Sequence, residues 1–186
     1  MQKLTKGFVL LLLTTLFTSC GADLFNRIEG NRNVVSEERK LRDDFSRVKV
    51  SSGIDLYIKQ GNKTKLTVEA DENLHDYIKT EVRGDQLRIY VEGNIWRAKS
   101  RKVYLTVTEI EELKATSGSD VISQSVIQAN DLSVSTSSGA DMRIEVNADN
   151  VRSSSSSGSD LRISGTSETN NTSASSGSSI HAYNLE

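Results

Sequence analysis

The chain has 186 residues, which is enough for one domain of ordinary size with short appendages. Hydrophobic residues make up 35% of it and aromatic residues 5%, so a core has to be built from thin layers of aliphatic side chains. The formal net charge of -2 argues against contact with a phosphate backbone, and nucleic acid is therefore excluded as a partner.

The N-terminal segment that ends at Cys20 predicts export and lipid attachment. Two lysines precede an apolar run over residues 7–13, and small residues stand directly before Cys20, the only cysteine. These are the parts of a secretory signal, and the apolar run is too short to span a membrane. Residues 16–20 also resemble the lipobox of bacterial lipoproteins. Residues 1–19 are therefore predicted to be a signal peptide, and Cys20 is predicted to carry a lipid anchor that holds the protein on a membrane.

The ordered part of the chain is predicted to span residues 43–186. Residues 20–42 show little periodicity and are predicted to form a flexible tether behind the lipidated cysteine. From Phe45 onward, short runs of alternating apolar and polar residues are separated by Gly-Asn and Gly-Asp pairs, which indicates strands and turns. The last residues enter a further repeat, so the domain is expected to be truncated or uncapped at its C-terminus.

From Leu113 onward the chain repeats itself. Four segments align on a glycine at nearly equal spacing, and an earlier copy stands further upstream; the glycines are Gly53, Gly118, Gly139, Gly158 and Gly177. Each glycine is predicted to occupy a corner where a side chain is excluded or φ is positive, and aliphatic residues at odd offsets from it are predicted to point inward. Such a repeat has to stack on its neighbour, which predicts an all-β, parallel β-helix with coils of about 19–21 residues. About three divergent coils are expected between the first two glycines.

An acidic residue recurs two positions after most of these glycines. Asp120, Asp141 and Asp160, continued by Ser179, are predicted to form a column with carboxylates about 5 Å apart. The favoured interpretation is structural, with each Asp side chain capping backbone N–H groups of its corner. The alternative is a ladder that binds calcium or another ligand. No His, Cys and carboxylate cluster at ligand spacing predicts any other metal site, and no cofactor is expected.

One segment is both basic and aromatic, with Trp96, Arg97, Lys99 and Arg101. Such a composition is typical of a contact for a glycan or another anionic polymer. The favoured alternative is an exposed loop and strand whose long side chains cover apolar surface. The glutamates of residues 109–112 are placed in the sequence where they could neutralise these cations.

The lipoprotein start, the alternating run over residues 45–58 and the Ser-Ser-Gly-x-Asp repeats together resemble the auto-transporter adhesin, head GIN domain family of envelope lipoproteins in Bacteroidota-type bacteria. The resemblance covers about residues 42–186. Gly53-Ile54-Asp55 resembles the element after which the family is named, with Asp in place of Asn. The resemblance implies a right-handed, single-stranded parallel β-helix and an adhesive or envelope role. It brings no catalytic residues.

The resulting hypothesis is a non-enzymatic lipoprotein of the bacterial cell envelope, anchored in the outer membrane and facing the periplasm or the exterior. It would act as an adhesin or as a module that binds a glycan or a protein. One alternative is a polysaccharide-active β-helix enzyme, which is disfavoured because the acidic column lacks the clustered partners of such sites. The other is a purely structural envelope spacer.

Overall fold

A computed structural model of the protein describes residues 27–42 and 44–185. Strands dominate this part of the chain, and its helical content is one short 3-10 turn over Glu72–Leu74. No helix within the described residues is long and apolar enough to cross a membrane. The all-β prediction is confirmed. Cys20 and the predicted signal peptide lie outside the described residues.

The strands fall into two sets along the chain. The first set precedes the four consecutive repeats that begin near Leu113, and the second set contains those repeats. The first set is β1 (Arg27–Glu29), β2 (Val34–Arg39), β3 (Arg47–Val50), β4 (Asp55–Gln60), β5 (Lys65–Asp71), β6 (Ile78–Arg83), β7 (Gln86–Val91), β8 (Asn94–Arg97) and β9 (Arg101–Val107). The second set is β10 (Glu112–Thr116), β11 (Asp120–Ser123), β12 (Ile127–Ser137), β13 (Asp141–Ser156), β14 (Asp160–Ala174) and β15 (Ser179–Leu185).

These strands form a small sheet of two strands and a large sheet of 13. In the small sheet β1 pairs with β8; the large one runs β2-β5-β9-β4-β11-β13-β12-β10-β3-β7-β6, and β14 and β15 extend it from β13. Its two terminal strands approach each other, because the Arg39 guanidinium on β2 donates to the carbonyls of His75 (2.9 Å) and Ile78 (3.4 Å). The large sheet is therefore a nearly closed barrel.

The prediction of a right-handed, single-stranded parallel β-helix is wrong, because the large sheet has mixed strand orientations. β5 is antiparallel to both β2 and β9, and β6 is antiparallel to β7. The divergent coils expected between Gly53 and Gly118 are also missing. The Gly53 amide donates to the carbonyl of Ser117 at 3.0 Å, so these two corners are direct neighbours in space. The intervening residues form β5 to β9 instead of stacked coils.

The inward-facing positions are confirmed for the repeats of Gly118, Gly139 and Gly158, whereas in the last repeat Ile180 is only partly buried. β11, β13 and β14 pair in parallel, and their residues Val121, Met142 and Leu161 stand opposite one another. All three side chains are buried, together with Leu56 on β4, which pairs with Val121. This row of aliphatic side chains forms the core behind the outer face of the same strands, as period-two alternation requires.

The prediction of a flexible tether over residues 20–42 is wrong for residues 27–29 and 34–39, which form β1 and β2. Only the first and last residues of β2, Val34 and Arg39, are partly covered, so the strand shows no hydrophobic alternation that would reveal it. Its order comes from antiparallel backbone pairing with β5 along its whole length. Backbone hydrogen bonds of this kind cannot be predicted from the side-chain composition of the segment.

Candidate functional site

The repeat corners are tight turns built on a Ser-Gly pair. Both residues of each pair have positive φ, between 53° and 70°, and the pairs are Ser52-Gly53, Ser117-Gly118, Ser138-Gly139, Ser157-Gly158 and Ser176-Gly177. Nothing lies within 4 Å of a Cβ added at the last four glycines, so the backbone conformation and not lack of space accounts for them. Two successive left-handed residues are the signature of a type I′ turn.

The predicted role of the aspartates in these corners is wrong. Within the described residues, no backbone N–H group donates to the carboxylate of Asp55, Asp120, Asp141 or Asp160. At two corners the side chain of the serine directly after the glycine accepts the capping hydrogen bond instead. Ser159 Oγ accepts from the Ser156 amide at 3.2 Å and donates to the Ser156 carbonyl at 2.8 Å, and Ser178 makes the same pair of bonds to Ser175. The aspartates are therefore free of any capping function.

The acidic column exists and has four members. The strand register places Asp55, Asp120, Asp141 and Asp160 side by side on β4, β11, β13 and β14, and Ser179 and Lys102 stand at its two ends. Neighbouring strands in a sheet are about 4.8 Å apart, which sets the spacing of these carboxylates. The fourth member, Asp55, joins because the Gly53 corner packs directly against the Gly118 corner.

A second row of side chains stands two residues further along the same strands and on the same outer face. It consists of Tyr104, Tyr57, Ile122, Arg143, Arg162 and His181 in spatial order. The rings of Tyr57 and Tyr104 stack with centroids 5.1 Å apart and planes inclined by 18°. Between the two rows runs a groove of about 210 Å³, with Asp55, Asp120 and Asp141 on one side and Tyr57, Ile122, Arg143 and Arg162 on the other. We call it the outer groove.

The charges of the outer groove are only partly balanced. Asp160 pairs with Arg162 at 3.1 Å and with His181 at 3.3 Å. Within the described residues Asp55, Asp120 and Asp141 have no ion pair or hydrogen bond. Burial, together with the flanking carboxylates of Asp55 and Asp141, raises the pKa of Asp120. In the described part of the chain, no group of three or more His, Cys, Asp or Glu side chains is arranged so that it could hold a metal ion.

Replacing Asp120 with asparagine is expected to stabilise the protein at neutral pH by a few tenths to about 1 kcal/mol, the magnitude of a repulsive cross-strand pair. The folded state raises this pKa, so the ionised carboxylate disfavours folding, and that penalty disappears as pH falls below the ordinary carboxyl pKa. The gain of D120N should therefore shrink in acid. Urea unfolding at several pH values measures it, with the exposed D149N as control. Equal effects of the two substitutions at neutral pH would contradict the repulsion.

A second candidate surface lies around Trp96 on β8. The Trp96 side chain is 50% exposed, and guanidinium carbons lie 4.0 Å (Arg97) and 5.4 Å (Arg27) from its ring centroid. Arg27 is on β1, which pairs with β8, so the small sheet brings the two arginines to one indole. We use the name Trp96 surface for the group made by Arg27, Arg32, Trp96, Arg97, Lys99 and Arg101, most of which line one concavity.

A buried carboxylate holds this surface together. Asp71, at the end of β5, is fully buried, and its two oxygens accept hydrogen bonds from the backbone N–H groups of Arg32 (3.0 Å), Lys99 (2.9 Å) and Ser100 (3.0 Å). Arg32 itself has a φ of 64°, which turns the chain between β1 and β2 towards Asp71. One side chain thus fixes two loops, which carry the cationic residues Arg32 and Lys99.

The structure brings the predicted residues Trp96, Arg97, Lys99 and Arg101 together, and it adds Arg27 and Arg32 from the supposed tether. The predicted neutralisation by the glutamates of residues 109–112 is not observed. Glu112 pairs with Arg47, and Glu111 accepts a hydrogen bond from Ser46. Among the described residues, no ion pair involves a cation of the Trp96 surface.

Comparison with known proteins gives a family and a fold. The model of the family described as "Putative auto-transporter adhesin, head GIN domain" matches residues 44–186. No curated protein matches the chain.

Several solved structures share the fold. A "putative adhesin" from Bacteroides fragilis NCTC 9343 is 16% identical with a TM-score of 0.80, covering 86% of this chain and 75% of the other. A "Putative lipid binding protein" from Parabacteroides distasonis ATCC 8503 is 23% identical with a TM-score of 0.68, at 86% and 77% coverage. A "putative adhesin" from the same strain is 18% identical with a TM-score of 0.71, at 86% and 77%. Similarity at these identities establishes a shared architecture only.

Proposed function

Because the chain belongs to the auto-transporter adhesin, head GIN domain family, whose description points to the cell envelope or surface, we propose that it is a non-enzymatic binding module of the bacterial envelope. We propose further that Cys20 is lipidated and anchors the protein in the outer membrane. Its ligand is an oligosaccharide rich in hydroxyl or amino groups, and its binding site is the outer groove.

The observation that supports this assignment is the row of unpaired carboxylates in the outer groove. Asp55, Asp120 and Asp141 cap no turn and neutralise no cation among the described residues, although burial and the proximity of the other two raise the pKa of Asp120. Groups held in an electrostatically unfavourable arrangement without a structural role are typical of binding sites.

The opposite side of the groove suits a sugar. Carboxylates accept hydrogen bonds from hydroxyl groups or from an ammonium group. The Arg143 guanidinium, which has no ion pair among the described residues, can donate hydrogen bonds to ring and hydroxyl oxygens. The Tyr57 ring and the Ile122 side chain offer apolar surface for the C–H face of a pyranose. Because both rows cross several strands, an extended oligosaccharide laid across β4, β11 and β13 meets successive Asp residues.

A glycan array of neutral, amino-sugar and acidic oligosaccharides tests the proposal, with the Asp120→Asn and Arg143→Gln variants and D149N as control. We expect binding by the parent chain and D149N, and about tenfold or greater loss for the two groove variants, the magnitude of a hydrogen bond to a charged group. D120N is informative because it is expected to be more stable than the parent, so lost binding is not lost folding.

Two outcomes would contradict the proposed glycan-binding function and favour one of its alternatives. Turnover of a polysaccharide that is lost on Asp141→Asn would identify the protein as an enzyme. No binding to any glycan would favour the structural spacer.

A further inference from the structure

The Trp96 surface is rich in cationic side chains, and none of them forms an ion pair among the described residues. Arg27 and Arg97 lie over the indole, and Arg32, Lys99 and Arg101 line the concavity with Trp96 and Arg97. Glu29 is the one acidic residue that lines the concavity from an exposed position within the described part of the chain. Asp71 also lines it, but this carboxylate is buried and its oxygens are taken up by backbone N–H groups. The electrostatic potential of this surface therefore favours an anionic partner.

The arrangement around Trp96 favours anion binding over sugar stacking. With its guanidinium carbon 4.0 Å from the ring centroid, Arg97 covers part of the indole, and Arg27 approaches the ring as well. A pyranose would need that ring surface for itself. A guanidinium held on an indole keeps its N–H donors directed outward, where a phosphate or carboxylate can accept two of them.

The position of this surface in the chain identifies the source of the anion. Arg27 is seven residues from Cys20, and seven residues span at most about 25 Å even when fully extended. A lipid anchor at Cys20 therefore keeps Arg27, and with it Trp96, close to the membrane. Tryptophan and basic side chains side by side are the composition found where proteins meet lipid headgroups.

We propose that the Trp96 surface docks on the anionic headgroup layer of the membrane that holds the anchor. This inference rests on the lipidation of Cys20 and not on the glycan ligand of the outer groove. Docking also sets how the outer groove lies relative to the membrane. The acidic column begins at Lys102 and Asp55, next to Arg101 of the Trp96 surface, and it runs from there across β11, β13 and β14 to β15. At about 4.8 Å per strand it extends roughly 24 Å from β9.

Trp96 provides the measurement, because it is the only tryptophan in the chain. The exported, lipidated protein is reconstituted into phosphatidylcholine vesicles with or without phosphatidylglycerol, each containing brominated lipid. We expect Trp96 emission to be quenched and blue-shifted in the anionic vesicles and largely unquenched in the neutral ones. Raising the salt concentration should reverse the quenching without releasing the anchored protein.

A charge-matched pair of variants tests the residues. In R97Q/K99Q the ratio of docked to undocked protein is expected to fall roughly 25-fold in anionic vesicles, since each of the two cations contributes about a fivefold factor near such a surface. The control K59Q/K63Q likewise removes two exposed cations, both of them lysines away from the Trp96 surface, and should dock like the parent chain.

Three results would overturn the inference. The first is equal quenching in neutral and anionic vesicles, and the second is an equal loss of docking in both variants. The third is displacement of Trp96 from the vesicles by a soluble acidic polysaccharide, which would make a polymer the partner. Protein that does not remain with the vesicles at all indicates failure of the proposed lipidation, whereas anchored protein with equal quenching in the two kinds of vesicle, or none in either, indicates failure of docking alone.

Discussion

Replacing Gly165 with alanine is expected to destabilise the protein by about 3–5 kcal/mol, because strain and steric overlap act together there, as in the most damaging single substitutions. Gly165 lies in the middle of β14 with a φ of 118°, a conformation that side chains rarely adopt. A Cβ at this position would lie 1.8 Å from the carbonyl oxygen of Val146 on β13, and backbone atoms of a paired strand cannot move aside cheaply.

Gly118→Ala is the matched control for this prediction. Gly118 also has a positive φ, 67°, but nothing lies within 4 Å of an added Cβ. Alanine there is expected to cost only about 1–2 kcal/mol, the penalty for a left-handed backbone. Urea unfolding of both variants measures the difference. Equal losses of stability would mean that β14 does not approach β13 as closely as described.

The C-terminal strands are the part of the fold that the sequence predicts well. The regular spacing of the last repeats puts Leu132 opposite Val151 and Asp141 opposite Asp160, as observed. The spacing is informative because each aliphatic position has to meet its equivalent in the next strand to be buried. The spacing does not predict Gly165. Glycine is required there because the backbone of the neighbouring strand leaves no room for a side chain.

The strand orientations before residue 112 could not be predicted from the same pattern. Parallel and antiparallel strands bury alternate residues equally, so the alternation in β5 and β9 does not distinguish an antiparallel pair from two coils. The segment between Gly53 and Gly118 fits three coils by length alone. In the structure its residues form other strands, and the two corners meet directly.

The two candidate surfaces differ in how far the sequence reveals them. The repeat identifies three members of the acidic column, and the same motif contains Asp55. Asp71 carries no comparable signal. Its hydrogen-bond partners include the backbone N–H groups of Arg32 and Lys99, which are distant in the chain, and backbone groups are the same in every sequence.

Replacing Asp71 with alanine is expected to destabilise the protein by about 3–5 kcal/mol and to disorder the loop from Ala98 to Ser100, because each unsatisfied buried donor costs about 1–3 kcal/mol. The substitution leaves the N–H groups of Arg32, Lys99 and Ser100 without their acceptor. The loop lies near the surface, where water replaces part of the lost bonding. Urea unfolding measures the global effect, and amide hydrogen exchange of Lys99 and Ser100 measures the local one.

Two further substitutions separate the role of Asp71 from general loss of stability. Asp71→Asn keeps one acceptor oxygen, so we expect it to lose roughly half as much stability and to preserve protection at only one of the two loops. Asp76→Ala removes an exposed carboxylate a short distance further along the chain and should change neither measurement.

Because Asp71 holds Arg32 and Lys99 in place, D71N should also weaken membrane docking of Trp96 while the outer groove keeps its ligand. Unchanged exchange at Lys99 and Ser100 in D71A would show that something other than this carboxylate orders the Trp96 surface.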